Sequence, residues 1–364
     1  METTKIDPMQ VMMAVPFKVS IIVPVFNCAA SLAASLNSLF VQSLGEIEVI
    51  AVNDASKDDS ATILDEIAKN EPRLKVIHLP DNVGVHEARA AGLRASTAPW
   101  IGFLDADDFA KEEMFATLHA FGEENAVDVV ICGVEKVNAD RVRLGTKVRF
   151  QKDGTLCDDL FGRFCRIEFG TGALWNKLYR RELLMPHGTR SFKWRQDATE
   201  DTLINLGCFL KARRVGLVSE SLYEYVQHPS SATQRAGNAR SYTRIIRAYA
   251  VAIDIYGEQG REVVDRITEL YARQLNYECY QVEDYKELDA FQDQLNEAIR
   301  FLADRHSMGI AGLMNRSASG SMSRSTAHQE PRESFVSACR AWLILSAKLP
   351  MLFAEALLRK VKAI

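Results

Sequence analysis

The sequence predicts an α/β protein: a mainly parallel sheet flanked by helices, followed by a C-terminal helical region. Three observations carry this. Short apolar, β-branched runs alternate with amphipathic helical patterns over about the first hundred residues. Polar clusters, Asn53-Asp54 and Asp105 to Asp108, fall where two of those runs end. After Tyr242 the strand signals fade, and helical spacing continues to Phe301.

Val19 to Pro24 is an apolar run closed by a proline and reads as a buried strand. Ala29 to Gln42 carries Leu32, Leu36, Leu39 and Phe40 at helical spacing. Glu48 to Val52 is a second strand. Asp58-Asp59-Ser60 can cap the next helix, whose apolar face holds Ile63, Leu64 and Ile67. Leu74 to Leu79 is a third strand, Val85 to Ala95 a helix, and Trp100 to Leu104 a fourth strand that runs into the acidic cluster. Phe115 to Gly122 reads as helix and Val127 to Cys132 as strand. Residues 135–160 are polar and irregular. Order returns at Leu174 to Leu184, Leu203 to Leu210 and Val215 to Val218, and Tyr223 to Val226 reads as a last strand. Ile245, Ile246, Tyr249, Ile253 and Tyr256 share one helix face; Val263, Ile267, Leu270, Tyr271 and Leu275 share another. Residues 306–330 hold six serines and three glycines and read as a flexible linker.

Composition narrows the partners. A net charge of -4 supplies no general basic field for a nucleic-acid backbone, so no nucleic-acid partner is expected. None of the seven cysteines forms a CxxC pair, and the odd, scattered set suits reduced thiols in a cytoplasmic protein. Met1 to Lys18 lacks the pattern of a signal peptide, and no uninterrupted apolar run reaches the roughly 18 residues of a membrane span.

The cluster Asp105-Ala106-Asp107-Asp108 carries the first chemistry. Two carboxylates one residue apart at the end of a buried strand suit a hard divalent cation, Mg²⁺ or Mn²⁺, that bridges to phosphate oxygens. Taken alone, the same residues suit a polar turn that caps a helix at Phe109. Alone, Asn27 and Asp54 are equally readable as turn residues, and Arg89 as half of a surface ion pair.

The order of the motifs adds what no single motif holds. Ser20-Ile21-Ile22-Val23-Pro24-Val25-Phe26-Asn27 comes first, then Val52-Asn53-Asp54-Ala55-Ser56 with Asp58-Asp59-Ser60. Asn82-Val83-Gly84 with Ala88-Arg89 and Gly92 follows, then Phe103-Leu104-Asp105-Ala106-Asp107-Asp108. This series resembles glycosyltransferase family 2, with its GT-A, Rossmann-like fold, over about residues 18–120, and more loosely to about 235. The resemblance implies a nucleotide-sugar donor, most often a UDP-sugar, a divalent metal cofactor, a saccharide or lipid-linked acceptor, and inversion at the anomeric carbon. Pro24 and Asn27 would line the nucleotide pocket. Asp54 would accept a hydrogen bond from the base. Arg89 would approach the nucleotide on a helix that Gly84 lets come close. Asp105 would contact the ribose or the metal shell, and Asp107 would ligate the metal, leaving Asp108 as a cap of the following helix.

Thr199-Glu200-Asp201 precedes the apolar run Leu203 to Leu210 and reads as a helix start that the dipole favours. In the family the same Glu-Asp pair supplies the general base, here Asp201. Trp175-Asn176-Lys177-Leu178-Tyr179-Arg180 resembles a segment of bacterial members that build surface polysaccharide. There Trp175 would stack on a sugar, its alternative being core packing, and Lys177 would face phosphate. Tyr223-Glu224-Tyr225 with His228-Pro229-Ser230-Ser231 resembles the segment that closes the catalytic domain. His228 would complete the metal shell or touch the diphosphate, its alternative being a structural or exposed histidine.

The expected organisation is a GT-A catalytic domain over 18–235, a helical region over 236–305, the linker 306–330 and an amphipathic segment over 331–364. Residues 332–364 hold six basic residues against two acidic ones. Such a segment suits peripheral contact with an anionic membrane through 333–364, or packing on protein. Two rival functions stay open. Nucleotidyl transfer would place a glycine-rich loop after the first strand, where Pro24-Val25-Phe26-Asn27 stands. An inactive GT-A binding module would have no need of Asp105, Asp107 and Glu200-Asp201.

Overall fold

The computed structural model describes residues 17–196, 199–227, 239–281 and 290–305. A single mixed sheet runs through the first part. Its opening strands are β1 (Val19–Val25), β2 (Ile47–Asn53), β3 (Leu74–His78) and β4 (Trp100–Phe103). They alternate with α1 (Ala29–Phe40), α2 (Ser60–Ala68) and α3 (Val85–Ala95). All of β2 and β4 is buried, which explains their unbroken apolar runs. β3–β2, β2–β1 and β1–β4 pair in parallel, as alternation of strand and helix requires.

The proline inside β1 is tolerated for a reason of register. The Ile22 carbonyl accepts from Leu104 N–H, the last bond of β1 on that side. Pro24, two residues on, faces the same way, where the ladder has ended and no donor is needed. Helix α3 lies very close to the sheet. A Cβ on Gly92 would stand 2.6 Å from Ile22 Cγ2, so only glycine allows this approach. Gly84, at φ 97°, starts the helix in a conformation that L side chains rarely adopt.

Beyond β4 the sheet turns mixed. It continues with β5 (Phe109–Ala110), β6 (Val129–Val137), β7 (Arg143–Val148), β8 (Gly154–Leu156), β9 (Lys177–Arg180) and β10 (Val215–Val226). The strand order is β3-β2-β1-β4-β9-β6-β10-β5, with β7 on β6 and β8 on β10. β9 enters antiparallel between β4 and β6. The polar stretch 135–160 supplies β7 and β8, mostly exposed strands that an apolar pattern does not mark. Val215 to Val226 form one strand with two irregularities, where the sequence suggested two pieces.

Helices α4 (Met114–Glu124), α5 (Leu160–Cys165), α6 (Arg181–Gly188) and α7 (Glu200–Lys211) complete this part. Helices α8 (Ala239–Tyr256), α9 (Arg261–Gln281) and α10 (Gln292–Arg305) follow. Tyr256 Oη donates to the Leu203 carbonyl (2.9 Å), tying α8 to α7. Among the described residues no helix is long and apolar enough to cross a membrane. The linker over 306–330 and the segment over 331–364 lie outside the described residues.

Candidate active site

Ligands of such sheets bind beyond the carboxyl ends of the parallel strands, and three loops meet there. Asn27, after β1, has φ 52°, and Ala55, after β2, has φ 54°. Asparagine tolerates the left-handed region; for alanine it costs about 1 kcal/mol or more. Cross-links hold both loops in place. Lys57 N–H donates to Asn27 Oδ1 (2.7 Å), Asn27 N–H to Ser56 Oγ (3.0 Å) and Ala29 N–H to Asp58 Oδ2 (2.9 Å).

Asp54 is 3% exposed. Its carboxylate accepts from Val83 N–H (2.7 Å), Gly84 N–H (2.9 Å) and Asn82 Nδ2 (2.9 Å). A carboxylate offers about four acceptor positions, so at most one is left for a base. The structure thus gives Asp54 a first task, holding the 82–84 loop at the start of α3.

The loop after β4 is laced to its surroundings. Asp105 N–H donates to Tyr223 Oη (3.3 Å), and Ser31 Oγ of α1 donates to the Ala106 carbonyl (3.1 Å). Asp108 does not cap a helix, because Phe109–Ala110 is strand β5. Its buried carboxylate accepts from Tyr223 Oη and Val226 N–H, both at 2.7 Å, pinning β10 to the loop. Burial, and then Asp105 and Asp107, push Asp108 well above the usual carboxylate range.

Arg89 joins the two halves of the site. Its side chain is 4% exposed, so it is a buried hub rather than a surface ion pair. Nη2 donates to Asp105 Oδ1 (2.9 Å); Nη1 donates to Glu200 Oε1 (2.7 Å) and Asp201 Oδ1 (2.6 Å). Burial opposes its charge, but Asp201, Asp105 and Glu200 together raise its pKa. One cation cannot satisfy three carboxylates. Burial, with Asp201 beside it, pushes Glu200 up to about 8, and burial pushes Asp105 up to about 6. Glu200 therefore holds a proton more readily than an ordinary glutamate. Asp201 is the more open of the pair, its side chain 20% exposed against 7% for Glu200. Its second oxygen accepts from Leu174 N–H (3.2 Å).

Trp175 and Lys177 serve the loop that supplies this Leu174 amide. Trp175 is 5% exposed and stacks on Tyr223 and Tyr225, with centroids 4.4 and 5.8 Å away. Its ring is taken up in packing rather than offered to a sugar. Lys177 is fully buried. Its ammonium donates to the Ala173 carbonyl (2.6 Å), Asn176 Oδ1 (2.9 Å) and the Thr171 carbonyl (3.2 Å). All three donors are used, so Lys177 orders the loop and does not face phosphate. Burial brings its pKa down to about 7. His228 lies outside the described residues.

The donor chemistry of the acidic corner fits a hard divalent cation. Asp107 is half-buried, and Asp105 uses only one carboxylate oxygen on Arg89. Cys28, whose thiol feels Asp107, is pushed up to about 11, chiefly by burial. Among the described residues no three His, Cys, Asp or Glu side chains are gathered to hold a metal ion; the carboxylates of the corner are of the donor type that suits Mg²⁺ or Mn²⁺. The sequence did not single out Asp108 with Tyr223 as a tether, or the Leu174 amide. Tyr223 lay in a segment read as near the site; a backbone amide leaves no sequence signal.

Comparison with known proteins bears on the fold and the family. The family described as Glycosyl transferase family 2 matches residues 20–188. An uncharacterized glycosyltransferase of Bacillus subtilis, EpsJ, is 33% identical over 245 residues, 66% of this chain and 70% of that protein. The crystal structure of S. aureus TarS 1-349 in complex with UDP-GlcNAc superposes with a TM-score of 0.63 at 23% identity, covering 82% of this chain and 85% of that one. The mannosyltransferase PcManGT from Pyrobaculum calidifontis, in complex with GDP-Man and Mn²⁺, gives a TM-score of 0.50 at 16% identity, over 92% and 87% of the two chains. At these identities the two structures speak for a shared GT-A fold. Ordered motifs, fold and the EpsJ relationship lead to one conclusion: this chain belongs to glycosyl transferase family 2.

Proposed function

We propose that the chain is an inverting glycosyltransferase that moves a sugar from a nucleotide-sugar, a UDP-sugar by the resemblance, to a hydroxyl of a saccharide or lipid-linked acceptor. The observation that carries this is the Arg89 hub. It joins Asp105, in the candidate donor corner, to Glu200 and Asp201, at the start of α7, by bonds of 2.6–2.9 Å.

In this reading Asp201 is the general base. It takes the proton of the acceptor hydroxyl as that oxygen attacks the anomeric carbon. The bond from that carbon to the diphosphate breaks on the opposite face, and the electron pair leaves with the nucleotide. Arg89 and the Leu174 amide hold the Asp201 carboxylate in place. The raised proton affinity of Glu200 lowers the negative charge that one guanidinium must balance. Asn27, Pro24 and the residual acceptor position of Asp54 face the nucleotide. A divalent cation held by Asp107 and Asp105 would supply charge compensation for the departing diphosphate.

Residues 18–235 are proposed as the catalytic domain, followed by a helical region over 236–305, and the segment 333–364 as a route to peripheral membrane contact. The deciding experiment incubates the chain with UDP-sugars and Mn²⁺ or Mg²⁺. Metal-dependent UDP binding together with donor hydrolysis or transfer is expected. Absence of both would favour an inactive binding module.

A further inference from the structure

Lys147 stands out because nothing in the reaction above uses it. It belongs to the β6–β7 hairpin, at an irregular place in the ladder. Val134 pairs with Val148, but Glu135 pairs with Thr146, so Lys147 is the extra residue of a β-bulge. Bulges re-aim side chains, and they do so often next to active sites. Here the side chain lies over the aromatic stack that lines the acidic corner. Nζ is 3.5 Å from the centroid of Tyr225 and 5.8 Å from that of Trp175. Trp175 stacks in turn on Tyr223, whose hydroxyl donates to Asp108.

Among the described residues no acceptor lies within hydrogen-bonding distance of this ammonium. Burial pulls its pKa below the usual lysine value; Asp108 and Asp105 favour the charged form, and Lys136 opposes it. Lys147 thus places a partly desolvated cation, with no hydrogen bond to the described residues, in the field of the corner to which the donor is assigned. It differs in this from Lys177, whose donors are all spent, and from Arg89, which is held by three carboxylates.

We propose that Lys147 binds the diphosphate of the nucleotide-sugar donor, using the Trp175–Tyr223–Tyr225 stack as a shelf. A compact ammonium suits phosphate oxygens, and a cation–π contact is weak beside a charge-assisted hydrogen bond. The arrangement therefore yields to a diphosphate without rebuilding the core. This inference rests on the glycosyltransferase reading above.

The test is binding, measured on the full chain in the presence of Mn²⁺. UDP is titrated calorimetrically into wild type, Lys147→Met and Lys147→Arg, and uridine binding is followed by NMR titration. Loss of one charged hydrogen bond predicts UDP binding weaker by about tenfold or more in Lys147→Met. Uridine binding should be unchanged, which also shows the pocket intact, and Lys147→Arg should restore most of the UDP affinity. Equal UDP affinity in wild type and Lys147→Met would overturn the proposal. So would an equal loss for UDP and uridine. If wild type itself binds no UDP, the glycosyltransferase reading falls along with it; if wild type binds and Lys147→Met binds equally, only the role of Lys147 falls.

Discussion

Replacing Arg89 by methionine keeps most of the stem and removes the charge. The side chain is 4% exposed, and its three ion pairs span 2.6–2.9 Å. Removing one partner from a buried ion cluster typically costs about 3–5 kcal/mol, because the opposite charges remain buried and uncompensated. The carboxylates can escape part of that cost by binding protons. Glu200 and Asp105 already sit at about 8 and about 6 with the cation present, and without it they move higher. The native variant then holds more protons than the unfolded chain, so its stability falls as pH rises above the ordinary carboxylate values. The full loss of about 3–5 kcal/mol is expected at pH 8 and a smaller one at pH 5. Urea denaturation at the two pH values, with comparable m, measures both. A loss below about 1 kcal/mol at pH 8, or a larger loss at pH 5 than at pH 8, would refute the hub as a site of concentrated buried charge.

Further outcomes follow from the same geometry. Glu200 is raised from an ordinary 4.5 to about 8, so its contribution to stability declines as pH rises through that window. Glu200→Gln keeps an acceptor for Arg89 and has no proton to lose. Its melting temperature should depend less on pH between 5 and 8 than that of wild type, and an unchanged profile would count against a protonated Glu200. Gly92→Ala puts a methyl 2.6 Å from Ile22 Cγ2 and should destabilise by about 1–3 kcal/mol in a denaturation midpoint, whereas a neutral result would mean that α3 shifts freely.

The parallel half of the sheet was legible because its information is local. β1, β2 and β4 are buried runs whose composition and period speak for themselves, and the polar loops follow at their ends. The mixed half was less so. β7 and β8 are short and exposed, and the insertion of β9 between β4 and β6 is a matter of topology that no window of sequence contains. The candidate site divides in the same way. Residue types marked Asp105, Asp201 and Arg89 as chemistry. That Arg89 binds acids 16, 111 and 112 positions away is a product of folding. Trp175, Lys177 and Asp108 show the converse. Their side-chain types suit ligands, but each has its partners inside the protein, and satisfaction by a neighbour is invisible until the neighbour is placed.

Asp201 is proposed to remove the acceptor proton beside an intact donor site. Asp201→Asn keeps the shape and an oxygen for Arg89 and removes the base. With a UDP-sugar found to be a substrate of wild type, single-turnover transfer and UDP affinity should be measured side by side for both proteins. UDP affinity within about threefold of wild type is expected, with transfer slower by about 10²–10⁴-fold. Transfer at the wild-type rate by Asp201→Asn would contradict it.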